Sequence, residues 1–195
     1  MLGLYIGIIL LLNIPYVQHR MSVLVAKELS TVLGSELTVG RINIGLLNRI
    51  IIDDLVLNDQ SGKELLKIGR LSAKFEILPL FSGKISIGNV QLFSFNANLE
   101  RPTPQASTNF QFVLDAFASK DTVKKKSNLD LRINSLLIRR GKVSYDVLSA
   151  ESTPGKFNPQ HIRLSNILAN ISLKAHQNDS VNAAIKRMSV EEEHS

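Results

Sequence analysis

The four histidines, His19, His161, His176 and His194, are the first place to look for metal or acid–base chemistry. None stands at helical ligand spacing from another, so a zinc site has no support. The chain holds no cysteine, which excludes a disulfide framework, a thiolate metal site and a cysteine nucleophile. Ser86 has Gly88 two residues on but Gly83 three before, so it is not a nucleophile elbow. There is no P-loop and no dinucleotide-type glycine fingerprint. Asp53-Asp54 would offer its carboxylates to opposite faces of a strand, so the pair reads as a bulge or turn rather than a metal site. Lys124-Lys125-Lys126 could touch lipid phosphates, yet a solvated loop is the simpler reading. Asn170-Ile171-Ser172 and Asn178-Asp179-Ser180 match the glycosylation pattern, a motif too short to carry weight. No catalytic, cofactor-binding or metal-ligating residue is assigned, and the chain reads as a non-enzyme without a cofactor.

What remains are elements that position apolar surface. The 195 residues suit one domain, or one domain and an anchor. A hydrophobic fraction of 44% with 21% charged residues excludes a wholly disordered chain. The 23 basic and 17 acidic side chains leave a net charge of +6, compatible with phosphate or lipid headgroups as partners. Tryptophan is absent and aromatics are only 6%, which argues against base stacking and nucleic acid.

Met1 to Gln18 carry no charged side chain. As a helix, eighteen residues would span ~27 Å, close to the hydrocarbon thickness of a bilayer. Leu2, Leu4, Ile6, Ile8, Ile9, Leu10, Leu11, Leu12 and Ile14 are the expected anchor side chains. A cleaved signal peptide would need a basic leader and a small-residue cleavage site, and neither is present. Positive-inside, taken literally, would put Arg20, Lys27 and the bulk of the chain in the cytoplasm. A start codon assigned too late, deleting a short basic leader, would account for that conflict and for the slightly short span.

After Pro15, the apolar residues Val17, Met21, Leu24, Val25, Leu29, Val32 and Leu33 recur at helical spacing, and Gly34 is a natural stop. The spacing predicts a helix that packs its stripe on the domain behind it. From Leu37 the period becomes two: Leu37/Val39, Ile42/Ile44, Ile50/Ile52, Leu55/Leu57, Leu71–Ile77, Ile85/Ile87, Phe93–Leu99, Leu129–Ile133, Val143–Val147 and Ile167–Ala175. The phase slips at Gly40-Arg41, at Asp53-Asp54 and near Asn89-Val90, which predicts bulges. A glycine–basic–apolar–Ser/Asn–apolar pattern recurs at Gly40, Gly69 and Gly83, and again at Gly141 with tyrosine last. It reads as glycine turning the chain into each new strand. One helix interrupts the series, with Thr108 as its cap and Phe110, Val113, Leu114 and Phe117 as its stripe. The last predicted strand stops at Ala175.

Seven or more strands each present an apolar face, and two helices outside the membrane span cannot cover them all. The sheet must close into a barrel, fold into a sandwich, or stay open as a trough for apolar ligand. Leu71, Phe75, Ile77, Ile85, Ile87, Phe93 and Phe95 are the candidate inward residues of such a trough.

In its order of features the chain resembles the N-terminal part of the AsmA-like proteins, and most closely their TamB-like branch of the Bacteroidetes type. The resemblance is carried by the anchor and helix, by Gly34-Ser35-Glu36-Leu37-Thr38-Val39-Gly40-Arg41-Ile42-Asn43-Ile44, and by Arg49-Ile50-Ile51-Ile52-Asp53-Asp54-Leu55-Val56-Leu57. Leu66-Lys67-Ile68-Gly69-Arg70-Leu71 and Leu78-Pro79-Leu80-Phe81-Ser82-Gly83-Lys84-Ile85-Ser86-Ile87 extend it, followed by the Phe110–Phe117 helix and a Leu129–Val147 hairpin. The resemblance implies a mainly β fold: a transmembrane and amphipathic helix, then an elongated, curved antiparallel sheet forming a U-shaped open groove, with one interrupting helix. It implies a single-pass inner-membrane location with the bulk periplasmic, and phospholipid carried toward the outer membrane. The alternative it implies is a scaffold or chaperone role in assembly of outer-membrane β-barrel proteins with an Omp85-type partner, which would be met through a C-terminal part with no counterpart here. The expected division is 1–18 anchor, 19–34 amphipathic helix, 35–180 β-groove domain and 181–195 polar tail at a fragment end.

Overall fold

The computed structural model describes residues 3, 7, 10–45, 48–76, 85–118, 129–130, 134–153, 156–175 and 181–192. Helix α1 spans Pro15–Leu33. Pro15 sits in its first turn, where a missing N–H removes no helical bond. Gly34 ends it with φ +63°, its N–H returning to the Ser30 carbonyl. Among the described residues no helix is long and apolar enough to cross a membrane. Of the expected anchor side chains, Leu2, Leu4, Ile6, Ile8 and Ile9 lie outside the described residues. Leu10, Leu11 and Leu12 are helical, and Ile14 is in a bend just before α1.

Helix α1 runs antiparallel to the first strand and packs along it, through polar contacts at its start and at Ser30 and through Leu29 and Leu33 of the expected stripe at its end. The strands are β1 (Leu37–Gly45), β2 (Arg49–Asn58), β3 (Glu64–Glu76) and β4 (Ile85–Arg101), followed by helix α2 (Gln111–Ala118). Then come β5 (Leu129–Asp130), β6 (Ser135–Val147), β7 (His161–Ala175) and β8 (Val181–Glu192). Asn13 donates to the Ile44 carbonyl at 2.8 Å, and Gln18 to the Asn43 side chain at 2.6 Å. The Ser30 hydroxyl accepts from the Leu37 N–H at 2.9 Å and donates to the Leu37 carbonyl at 3.3 Å. Asn13 and Ser30 meet backbone groups of β1 and Gln18 a side chain, so the helix blunts an edge that would otherwise invite pairing. Gln18 and Ser22 are therefore buried, while Leu24 and Val32 of the expected apolar stripe are each 60% exposed. Helical spacing finds the helix; the face it buries is set by the strand edge beside it.

The sheet runs β1-β2-β3-β4-β6-β7-β8. Neighbours are antiparallel except β4–β6, which is parallel, and β5 also pairs with β4 in parallel. Its order is linear, so among the described residues it is an open sheet, neither barrel nor sandwich. Two expectations need correcting. Leu129–Val147 is not a hairpin: β5 and β6 lie one after the other along the same side of β4. The segment expected as a polar tail forms β8 over Val181–Glu192, paired with β7 beyond the expected stop at Ala175.

The core lies at one end of the strands. Leu33 of α1 and Val113 of α2 pack with Leu37, Leu57 and Leu65, flanked by Leu29, Leu66, Leu99, Phe110 and Phe112. Thus α2 and the C-terminal half of α1 close that end, as the expected stripe of Phe110 and Val113 requires; Leu114 faces out, and the Phe117 side chain lies outside the described atoms.

Candidate functional site

Residues paired across neighbouring strands share a face of the sheet, so the register sorts the side chains. One row reads Ile44, Ile50, Ala73, Val90, Leu136, Ile171, Ile185 from β1 to β8. The next reads Ile42, Ile52, Leu71, Leu92, Ile138, Ala169, Met188. Neither contains a charge or a hydroxyl. Six inter-strand steps of about 4.8 Å make this lane roughly 29 Å long. Two further rows, Val39, Leu55, Ile68, Phe95 and Leu37, Leu57, Leu66, Ala97, continue it toward the closed end.

Over β2 to β8 the two long rows have no second layer among the described residues, while α1 packs along β1. Ile42, Ala73 and Ala169 are buried by their neighbours, whereas Leu71, Leu92 and Ile138 are only half-buried, and Ile185 and Met188 are 62% and 57% exposed. The opposite face is polar. There Arg41, Asp53, Arg70, Phe93 and Arg139 are paired in one row. Arg70 donates to Asp53 at 2.6 Å, and the Arg139 guanidinium stands 5.7 Å from the Phe93 ring centre.

A line of bulge residues, the non-glycine ones left-handed, keeps the two faces separate. The register leaves Gly40, Asp54, Gly69, Ser94 and Arg140 opposite one another, each between flanking pairs. Asp54, Ser94 and Arg140 have φ of 55°, 54° and 53°, and Asn166 on β7 has 49°. Holding a non-glycine residue there costs on the order of 1–3 kcal/mol. Each adds one residue, so apolar positions three apart (39 and 42, 52 and 55, 68 and 71, 92 and 95) face the same way. Without it the one-residue slip would send half of each strand's apolar side chains to the polar face. Aligned bulges also bend a sheet.

The recurrent glycines belong to this line. Gly40 and Gly69 sit inside strands rather than in the expected turns, and Gly141 follows Arg140. At Gly141 the reason is steric: the Phe95 ring occupies the place of a side chain, and a Cβ would collide with it. Gly83 lies outside the described residues.

Of the expected groove residues, Leu71 lies in the lane and Phe95 in the row behind it, while Phe93 lies on the polar face between Arg70 and Arg139. The left-handed Ser94 between the two phenylalanines breaks the alternation that would have put them together. Phe75 pairs with Ile87 and Ile85 with Leu129 in the backbone register, but their side chains, and all of Ile77, lie outside the described residues. Ile42, Ile52 and Ile171 are lane residues that alternation marks as strand without marking their face, and Leu92 and Ile138 are lane residues outside every alternating run. For Ile42, Ile52 and Leu92 the spacing of three to Val39, Leu55 and Phe95 is the signal that would have joined them to the lane.

Among the described residues the arrangement reminiscent of catalysis is His161 beside Asp146. The imidazole Nδ1 is 2.9 Å from Asp146 Oδ1, and Nε2 is 3.1 Å from the Ala150 carbonyl. Arg163 holds the other carboxylate oxygen at 3.0 Å. The hydrogen bond to Asp146, then that to Ala150, raises the His161 pKa. Burial pushes the Asp146 carboxyl up, but hydrogen bonds from His161 and Arg163 outweigh it and hold the pKa low. With Nε2 turned to a backbone carbonyl no nucleophile is served, so the cluster ties the β6–β7 connection. Among the described residues no group of three acidic, histidine or cysteine side chains could hold a metal.

No protein-family model matches the chain, and no curated protein matches it in sequence.

Proposed function

We propose that the chain handles phospholipid non-enzymatically along the uncovered apolar lane. The observation that carries this reading is the charge-free pair of rows crossing seven strands, with no covering layer over β2 to β8 among the described residues. A lane of roughly 29 Å accommodates acyl chains by area, at about 25 cal/mol per Å² of apolar surface removed from water. The sheet curves into the U-shaped groove of the AsmA-like resemblance, with the aligned bulges supplying the bend. The N-terminal segment anchors it in the inner membrane, the sheet lying in the periplasm. Leu10, Leu11 and Ile14 support the anchor by being 66%, 58% and 46% exposed, apolar surface with no protein over it.

A second reading has its own observation. Every described side chain of β8 is exposed, Ile185 and Met188 among them, which suits addition of a strand from a nascent outer-membrane β-barrel protein. Purifying the full chain, wild type and Leu92→Asp, and quantifying co-purified phospholipid by mass spectrometry separates the two. The lipid reading expects bound phospholipid in the wild type and its loss in the variant. Equal lipid in both, attributable to the anchor alone, would favour the strand-addition reading.

A further inference from the structure

Three contiguous hollows run along the line of bulges on the polar face. The first, about 500 Å³, lies between Arg41 and Arg70 over Gly40 and Gly69. It shares Gly69 and Arg70 with the second, about 320 Å³, which reaches Ser94 and Arg140. Arg140 also lines the third, about 440 Å³, with Arg139, Asn166 and Arg187. Together they form one furrow across the sheet, with Gly40, Gly69 and Ser94 in its first two hollows and Leu137, Leu168 and Asn170 in the third. All five arginines are exposed. Asp53 and Asp54 line the first hollow, so the furrow carries 5 − 2 = +3, and Glu191, bonded to Asn166 at 2.6 Å, stands at its far end. Arg70 is engaged by Asp53 and Arg139 by Phe93; Arg41, Arg140 and Arg187 have no ionic or ring partner among the described residues.

These cations lie on regularly spaced strands, Arg187 one polar row over from Arg41, Arg70 and Arg139. They sit on β1, β3, β6 and β8, every second strand of the sheet order. Two inter-strand steps are about 9.6 Å. A polyproline II helix repeats every three residues, about 9.3 Å, and presents each third side chain on one face. We propose that this furrow binds an extended acidic peptide in polyproline II conformation, with a carboxylate at every third residue opposite successive arginines. The choice of arginine throughout favours bidentate recognition of carboxylates. A flat lipid surface would instead engage Lys67, Lys74 and Lys142, which lie elsewhere on the polar face, and the ring that lines the furrow, Phe93, is already engaged by Arg139 rather than open for a base to stack on.

The test is fluorescence anisotropy with the full chain in neutral detergent and a labelled peptide of repeated Glu-Pro-Pro. A control peptide of the same composition carries its glutamates in one block. The repeat peptide should bind more tightly than the block peptide, and salt should weaken it. Arg140→Asn, which tolerates the left-handed backbone, and Arg187→Gln should each weaken binding by about three- to tenfold. Lys142→Gln, outside the furrow, should leave it unchanged, with circular dichroism as the folding control. Equal affinity for both peptides, no binding, or an equal loss in Lys142→Gln would overturn the proposal. So would displacement by phosphatidylglycerol vesicles or a single-stranded oligonucleotide at the same charge concentration.

Discussion

Leu92 is the centre of the lane, paired with Leu71 on one side and Ile138 on the other, and half-buried. Replacing it with Asp places a carboxylate where an acyl chain would lie. Facing hydrocarbon without a partner costs several kcal/mol, and ~3 kcal/mol on a transfer barrier is roughly a hundredfold in rate. Leu92→Ala removes one side chain of fourteen in the two long rows, so lipid contact changes little. Because Leu92 is only half-buried, Leu92→Ala should cost folding about 1 kcal/mol and Leu92→Asp somewhat more, within what a domain tolerates. Gln91 is the control: its register partners are Ser72 and Leu137, one residue over and on the other face. Transfer of labelled phospholipid between donor and acceptor vesicles is the assay, with circular dichroism confirming the fold. Leu92→Asp should transfer about a hundredfold more slowly, with Leu92→Ala and Gln91→Asp near wild type. A folded Leu92→Asp that transfers normally would refute the reasoning. Unfolding of Leu92→Asp would instead mean that this face is packed core.

The bulge line and the β6–β7 connection give three further predictions. Ser94→Val forces a β-branched residue to φ 54° and should destabilise the fold by about 1–3 kcal/mol in denaturant titration, whereas Ser94→Gly should not. Gly141→Val should destabilise by about 1–3 kcal/mol through collision with Phe95, and adding Phe95→Ala should recover part of the loss in the same titration. The raised His161 pKa means that its contribution is fully present below the unfolded value of about 6.5 and is lost as pH rises through the folded pKa. Both ring nitrogens face acceptors, so the imidazolium satisfies both; protection of the 148–160 amides, taken relative to intrinsic exchange at each pH, should fall from pH 6 to pH 8, and His161→Gln should flatten that fall.

Strand content is readable in this sequence because alternation is local. Leu37 to Leu57 contain two strands and both of their bulges in the pattern of apolar positions, and Gly40-Arg41 and Asp53-Asp54 mark where the phase slips. Ser94 and Arg140 carry no such mark, since their backbone conformation is imposed by neighbours on the bulge line. Gly141 looks like a turn residue until β4 is known to lie beside β6, a parallel pairing across a connection that no local pattern encodes. Phe93 and Phe95 look like one face for the same reason. In β8, Lys186, Arg187 and the glutamates mask a strand that exists through its pairing with β7. The buried face of α1 follows from Ser30, Gln18 and Asn13 meeting the β1 edge, which hydrophobic periodicity alone cannot see.

The lane claim is tested most directly by photocrosslinking at adjacent positions. A benzophenone amino acid is placed at Leu92 or at Gln91, one residue apart and on opposite faces, in the full chain within native membranes. Irradiation followed by mass spectrometry should give phospholipid adducts at position 92 and none at position 91. Adducts at both positions alike, or at neither, would contradict a lipid lane on the apolar face.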